Sequence, residues 1–120
     1  MVVLYHHTDA ESAQKILESL LLKKAKGAFG TGVYLTKMGP DSSLKKLLVN
    51  NYDDDISKAK MKKLIKERGS KAEVCFGLGI PDDVYDEFVE KCDASGRDVY
   101  IFKGDITLSD MDDVDLYYRQ

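Results

Sequence analysis

The chain contains no tryptophan and only two histidines, two prolines and two cysteines among its 120 residues. Cys75 and Cys92 lie far apart in sequence and form no C-x-x-C pair, so neither a zinc knuckle nor a disulfide framework is indicated. We expect both to be small buried apolar residues. Because there is also no internal repeat, low-complexity tract or linker, the simplest division is one domain over residues 1–120.

Long apolar runs are missing as well. No run approaches the roughly 18 residues that a membrane-spanning helix needs. The first residues, MVVLYHHTD, turn polar after the fifth position, and therefore lack the length and flanks of a signal peptide. We expect a soluble, cytoplasmic protein with no membrane partner.

Neither sign of charge dominates the sequence. Eighteen Lys and Arg against 21 Asp and Glu leave a formal net charge of −3, which does not favour long-range attraction to nucleic acid or to an anionic membrane. Lysines cluster between residues 58 and 71, where a solvated helix face is a simpler explanation than a binding patch. The hydrophobic fraction of 43% excludes bulk disorder.

The first part of the chain predicts a strand followed by a helix. Residues 2–6 are apolar on both faces, which is typical of a buried strand near the centre of a sheet. Thr8 followed by Glu11 matches a capping box, and apolar residues then recur at helical spacing. These apolar residues are Ala10, Ala13, Ile16, Leu17 and Leu20.

Glycines mark the next segment. The sequence KGAFGTG, residues 26–32, predicts a flexible loop that leads into a short strand over residues 33–36. Gly39 ends this strand. Two helices are then expected, a short one around residues 44–48 and a longer one over residues 56–68.

The last part of the chain predicts a further strand, a helix and two short strands. Residues 72–80 form the strand, in which glycines indicate close approach of another backbone or a ligand. A helix over residues 81–92 follows, opened by proline. Residues 98–102 and 106–108 are the short strands, and an acidic tail ends the chain. Because strands and helices mix without regular alternation, an α+β fold is favoured.

Three polar residues lie where a scaffold presents functional side chains. His6 ends a predicted buried strand, Tyr34 lies in the strand after the glycines, and Asp98 opens an apolar strand. Each also has an ordinary explanation. A strand-end histidine is more often simply hydrogen-bonded, a strand tyrosine is more often core, and an aspartate in this position is more often a turn residue.

Several common kinds of site do not fit the sequence. His6 and His7 are neighbours on a strand and point to opposite faces, so they are poorly placed to share a metal ion. The glycines read G-x-x-G-x-G and precede a strand, whereas the dinucleotide-binding fingerprint follows a strand and opens a helix. No serine or cysteine lies in a nucleophile-elbow sequence, so a hydrolytic triad is unsupported.

Taken together, three segments resemble the ADP-ribosyltransferase fold in their order and spacing. LYHHT at residues 4–8 resembles the first motif, a His-x-Ser/Thr sequence at the end of the first strand. GTGVYLT at residues 30–36 resembles the second, in which glycines lead to a tyrosine on a strand. RDVYIF at residues 97–102 resembles the third, in which an acidic residue opens a strand. The combination is similar to the His-Tyr-Asp signature subgroup, often found as toxin modules.

The resemblance implies a small single-domain fold with a split mixed sheet flanked by helices, and NAD as co-substrate with no metal. It implies that His6 and Thr8 hold the adenosine ribose and neighbouring parts of NAD, and that backbone groups around His7 bind the nicotinamide amide. Tyr34 would stack on the nicotinamide ring. Asp98 would hydrogen-bond the nicotinamide ribose and stabilise the positive charge that develops as nicotinamide leaves.

Two further residues belong to the implied cofactor-binding set. Gly32 leads directly into the strand that carries Tyr34. Tyr52 is a candidate for a second aromatic ring that closes over the nicotinamide, although an ordinary loop tyrosine explains it equally well. Asp105, at another strand start, is the alternative to Asp98 for the acidic role.

The sequence departs from the wider family at two positions. His7 stands where poly-ADP-ribosylating relatives have glycine, and Asp98 replaces their glutamate. An aspartate is shorter by one methylene, about 1 Å, and a misplacement of that size costs about a hundredfold in rate. Transfer of a single unit, or hydrolysis of NAD, is therefore favoured over chain elongation.

Three functions remain open at this point. The leading one is a mono-ADP-ribosyltransferase, a glycosyltransferase that releases nicotinamide, or an NAD glycohydrolase. The second is an RNA 2′-phosphotransferase of the same broad fold, which adjacent histidines suggest but the acidic charge balance disfavours. The third is a non-catalytic module that binds ADP-ribose or NAD. Nothing selects the acceptor among protein, nucleic acid, small molecule and water.

Overall fold

Nine β-strands and two α-helices make up the described part of the chain. The structure is a computed structural model that describes residues 1–27, 29–42, 72–92 and 97–118. The elements follow in the order β1 (Val2–Thr8), α1 (Ala10–Ser19), β2 (Leu21–Leu22), β3 (Ala25–Gly27), β4 (Gly30–Leu35), β5 (Val74–Ile80), α2 (Asp82–Phe88), β6 (Val89–Lys91), β7 (Tyr100–Phe102), β8 (Ile106–Thr107) and β9 (Asp113–Tyr118). The two helices expected over residues 44–48 and 56–68 lie outside the described residues, as does Tyr52.

The strands form separate sheets. One sheet has the order β1-β5-β9, a second has the order β3-β4-β7-β6, and β2 pairs with β8. The pairs between these strands are antiparallel. An isolated bridge between Tyr5 and Thr36 joins the first sheet to the second. With the two helices, this arrangement confirms the predicted α+β fold with a split sheet.

Strand β5, and not β1, is the central strand of its sheet. All seven residues of β5 are buried, and it pairs with β1 on one side and β9 on the other. The prediction that residues 2–6 form a buried strand near the sheet centre is therefore wrong. Strand β1 is an outer strand of this sheet, and its Val3 is exposed. Gly77 of β5 leaves room for two aromatic side chains. A Cβ atom on Gly77 would lie 3.2 Å from the Tyr5 ring and 3.3 Å from the Tyr117 ring.

The N-cap of helix α1 lies one residue later than predicted. Asp9 is the N-cap, and its side chain accepts a hydrogen bond of 2.6 Å from the Ser12 backbone N–H. Thr8 instead ends β1, so the prediction of a capping box at Thr8 is wrong. The helix buries Ala13 against the core, whereas Leu17 and Leu20 are exposed. The apolar stripe of α1 is therefore narrower than its spacing predicts.

The predicted glycine loop is a β-hairpin. Gly27 ends β3, Gly30 begins β4, and these two glycines pair across the strands. Gly30 has a φ of 111°, a conformation that glycine adopts without strain. Strand β4 then pairs with β7, so that Tyr34 lies opposite Ile101. The predicted strand at residues 33–36 is confirmed, but it starts earlier, inside the glycine segment.

The last part of the chain contains more strand than its sequence pattern predicts. Helix α2 ends at Phe88, and the three residues that follow form β6 beside β7. Strand β7 begins at Tyr100, so Asp98 precedes the strand and does not open it. The acidic tail is also a strand, β9, which pairs along β5. Strand β8 is followed by a 3₁₀ turn at Leu108–Asp110.

The main core takes residues from α1 and from every sheet. Its buried members are Leu4, Ala13, Leu22, Val33, Leu35, Val74, Phe76, Leu78, Ile80, Tyr100, Phe102, Ile106 and Leu108. A smaller cluster lies on the other face of β7 and contains Cys92, Val99 and Ile101. Both cysteines are buried, as predicted. Within the described ranges, no helix is long and apolar enough to cross a membrane.

Candidate active site

A cleft lies where the two larger sheets separate. The Tyr5 N–H donates to the Thr36 carbonyl at 2.8 Å, and the Thr36 N–H donates to the Tyr5 carbonyl at 2.9 Å. Beyond this bridge, β1 and β4 leave a cavity of about 320 Å³. The cavity is lined by Tyr5, His6, His7, Gly27, Phe29, Tyr34, Leu35, Thr36, Arg97 and Val99. The structure therefore brings residues from all three predicted motifs to one cleft.

His6 links the two walls of the cleft. Its Nδ1 atom lies 3.0 Å from the Tyr34 carbonyl oxygen, which can only accept a hydrogen bond. Nδ1 therefore carries a proton. Burial lowers the pKa of His6, although the hydrogen bond to Tyr34 opposes this effect. At neutral pH the imidazole is thus uncharged, with a lone pair on Nε2 that can accept a hydrogen bond from a ligand hydroxyl.

We expect the lowered pKa of His6 to make stability fall with decreasing pH. Below its ordinary pKa of 6.5, the unfolded chain takes up a proton on His6 that the folded chain resists. The contribution of neutral His6 to the free energy of unfolding is fully present above pH 6.5. It is lost as the pH falls towards the pKa of His6 in the folded state. Urea denaturation of the wild type and His6→Gln, from about pH 7.5 to about pH 5.5, should show the stability difference shrinking. A pH-independent difference would contradict this prediction.

His7 is held by a different part of the chain. Its Nε2–H donates to the Met38 carbonyl at 2.7 Å, and the Cys75 sulfur lies 3.8 Å from the same nitrogen. His6 and His7 thus bond to different segments, as expected for neighbours on a strand. The parts of the chain that the structure describes contain no group of three or more His, Cys, Asp or Glu residues that could hold a metal ion.

Tyr34 closes the β3–β4 hairpin with its hydroxyl group. The hydroxyl donates to the Gly30 carbonyl at 2.8 Å and accepts from the Phe29 N–H at 2.7 Å. The ring lies against Gly27, where an added Cβ would come within 2.6 Å of it. The Phe29 and Tyr34 ring centroids are 6.4 Å apart. Gly27 is therefore required by the position of the tyrosine ring.

We expect Tyr34→Phe to destabilise the fold by about 1–2 kcal/mol, because the Phe29 N–H and the Gly30 carbonyl each lose a hydrogen bond. Urea denaturation would measure this loss. Tyr118→Phe is the matched control, because Tyr118 is 66% exposed and should tolerate the same change. Equal stability of the two variants would show that the Tyr34 hydroxyl has no role in closing the hairpin.

Thr8 and Gly32, two predicted cofactor-binding residues, do not line the cleft. Thr8 is buried at the end of β1, opposite Val74. A Cβ atom on Gly32 would meet the Phe102 carbonyl oxygen and would lie 2.6 Å from the Ile101 side chain. The close approach of β4 and β7 thus explains why position 32 is a glycine.

The two candidate acidic residues, Asp98 and Asp105, lie in different parts of the fold. The Asp98 carboxylate accepts a hydrogen bond of 3.1 Å from the Lys37 N–H, which follows the end of β4. Asp98 does not line the cavity, although both of its sequence neighbours do. Asp105 accepts a hydrogen bond of 2.7 Å from the Lys24 N–H and lines a separate cavity of about 390 Å³. The geometry favours Asp98 for a role at the cleft.

Phe29 and Arg97 are among the cleft residues that sequence reasoning missed. Phe29 lies in the segment predicted as a flexible loop, and Arg97 directly precedes Asp98. The Arg97 guanidinium carbon lies 5.7 Å from the centroid of the Phe29 ring. Two sequence signals could have identified them. Phe29 is an aromatic residue among glycines, and Arg97 is a basic residue beside a candidate acid.

The split sheets bring His6, Tyr34 and both sequence neighbours of Asp98 to one cleft, the arrangement that the ADP-ribosyltransferase resemblance implies. A profile of the toxin family described as "HYD1 signature containing ADP-ribosyltransferase" matches residues 4–110. The chain belongs to this family, which confirms the resemblance seen in its motifs. A search of curated proteins gave no significant match, and neither did a search of solved structures. Membership indicates ADP-ribosyl transfer as the general activity.

Proposed function

We propose that the chain is a mono-ADP-ribosyltransferase that takes ADP-ribose from NAD, transfers one unit to an acceptor and releases nicotinamide. Residues 1–120 act as one catalytic domain, and NAD hydrolysis is the same reaction with water as the acceptor. The observation that carries the proposal is the 3.0 Å contact from His6 Nδ1 to the Tyr34 carbonyl, which joins the first two motifs across the cleft. Family membership supports the reaction class.

In this proposal, residues of the first two motifs bind NAD. His6 is neutral and offers the Nε2 lone pair to a ribose hydroxyl, and Thr8 supports the end of β1 beside it. His7 lines the cleft, in keeping with contact between its backbone and the nicotinamide amide. Tyr34 presents its ring to the nicotinamide, whose positive charge is attracted to an aromatic face. Gly32 serves by allowing β4 to approach β7, and Tyr52 is proposed to cover the ring from the other side.

Asp98 stabilises the reacting centre in this proposal. The bond between nicotinamide N1 and ribose C1′ breaks, and its electron pair leaves with neutral nicotinamide. Positive charge then develops on the ribose, where a fixed carboxylate lowers the barrier electrostatically. A lone pair of the acceptor forms the new bond to C1′, and the acceptor loses its proton. The Lys37 N–H holds the Asp98 carboxylate by a hydrogen bond of 3.1 Å, and the residues on either side of Asp98 line the cleft.

The direct test measures nicotinamide release from NAD by the purified chain, with NAD binding followed by calorimetry. Release with binding would support the proposal, and labelled NAD would then identify whether protein, nucleic acid, a small molecule or water accepts the ADP-ribose. Binding of NAD or ADP-ribose without release in the presence of all acceptor classes would instead indicate a binding module. Absence of both binding and release would overturn the proposal.

A further inference from the structure

A cation stacked on an aromatic ring forms part of the cleft wall and has no role in the steps above. The guanidinium carbon of Arg97 lies 5.7 Å from the Phe29 ring centroid, and Phe29 in turn packs against Tyr34. Arg97 is half-buried, and its side chain lines the cavity. The arginine is therefore connected through one ring to the tyrosine that is proposed to hold the nicotinamide.

The side chain of Arg97 brings a cationic group to this wall. Among the described residues that line the cavity, Arg97 is the sole Lys or Arg, and no Asp or Glu is present. Burial lowers the pKa of His6 and keeps that side chain uncharged. A phosphate group of a ligand in the cleft is attracted to the Arg97 guanidinium, whereas a pyridinium ring without phosphate offers it no anionic group.

We propose that Arg97 binds a phosphate of the substrate and is a specificity residue that restricts the cleft to phosphate-bearing pyridinium nucleotides. This inference rests on the proposed function. A guanidinium group offers five N–H donors in a fixed fork that matches phosphate geometry. Packing on Phe29 also reduces the rotamer freedom that Arg97 loses when it binds a ligand.

The test compares two ligands that differ in the phosphate-bearing part, NAD and nicotinamide riboside, by calorimetry with the wild type and Arg97→Met. We expect Arg97→Met to weaken NAD binding by about 10- to 100-fold, the size of a hydrogen bond to a charged group. Binding of nicotinamide riboside should stay the same, since this ligand has no phosphate for Arg97 to bind. The ratio of the two dissociation constants isolates the interaction between Arg97 and phosphate.

Two further variants make the test specific. Lys91→Met removes another cation that lies over an aromatic ring, 6.0 Å from the Tyr100 centroid, but Lys91 does not line the cleft. The affinity of Lys91→Met for NAD should equal that of the wild type. Phe29→Leu keeps the arginine and removes the ring beneath it, so its NAD affinity should lie between those of the wild type and Arg97→Met. Thermal denaturation of each variant checks that the fold is retained.

The outcomes separate this inference from the proposed function. If the wild type binds NAD and releases nicotinamide while Arg97→Met keeps the same preference for NAD over nicotinamide riboside, the role of Arg97 is wrong and the transferase proposal stands. Equal losses for both ligands would also overturn the inference, because they would indicate structural damage. If the wild type neither binds NAD nor releases nicotinamide, both proposals fail.

Discussion

Asp98→Asn should reduce nicotinamide release from NAD by about 100- to 1000-fold while leaving NAD affinity nearly unchanged. The amide is the same size as the carboxylate, and its oxygen can still accept the hydrogen bond from the Lys37 N–H. The scaffold around residue 98 is therefore kept, and the variant loses the negative charge. Since that charge is needed where positive charge develops on the ribose, the loss should appear in kcat. Steady-state kinetics combined with calorimetry would measure both quantities.

Asp105→Asn is the matched control for this experiment. Asp105 also accepts a backbone N–H bond, from Lys24 at 2.7 Å, but it lines a different cavity. The control should release nicotinamide at the wild-type rate. A large loss in Asp105→Asn together with a small one in Asp98→Asn would reverse the assignment of the acidic residue. Equal losses in NAD affinity and kcat for Asp98→Asn would indicate a binding role instead.

Local sequence patterns correctly predicted the strands and helices whose formation is determined by residues close together in the chain. The apolar run of β5 and the helical spacing of α1 were both sufficient to place those elements. Element boundaries that depend on a single hydrogen bond were harder to predict from the sequence. Thr8 and Asp9 are both good cap residues, and the choice of Asp9 follows from where β1 ends.

Pairing between distant segments could not be predicted from local patterns. The tail alternates Val114 and Leu116 with aspartates, which is a strand pattern, but acidic residues are rare in strands. It forms β9 because β5 offers a partner edge. Similarly, residues 89–91 continue a helical pattern, yet they pair with β7. In both cases tertiary contacts outweigh intrinsic propensity.

In the candidate site too, residues could be predicted from local motifs, whereas contacts between distant segments could not. His6 and Tyr34 were identified from motif residues, and the fold places both on one cleft. The bond from His6 to the Tyr34 carbonyl, the hairpin closed by the Tyr34 hydroxyl and the contact of Arg97 with Phe29 depend on chain segments meeting in space. A single sequence contains no direct signal for such contacts.

Phe76→Ala should be the most destabilising single change in the described core, with a loss of about 3–5 kcal/mol in the free energy of unfolding. Phe76 is fully buried at the middle of the central strand β5. Its cross-strand neighbours are His6 in β1 and Leu116 in β9, so truncation leaves a cavity that adjoins both outer strands. Urea denaturation would measure the loss.

Phe88→Ala provides the comparison for this cavity effect. Phe88 stacks on Phe102 at 5.3 Å but remains 36% exposed, so its truncation should cost less than half as much as that of Phe76. The Phe76 variant should also change the titration of His6 in the folded state, because water entering the cavity would weaken the burial that lowers the pKa of His6. An NMR titration should then show a higher pKa for His6 in Phe76→Ala than in the wild type. Equal costs of the two truncations would show that burial of Phe76 does not dominate the loss. An unchanged pKa of His6 would show that Phe76 does not contribute to the burial of His6.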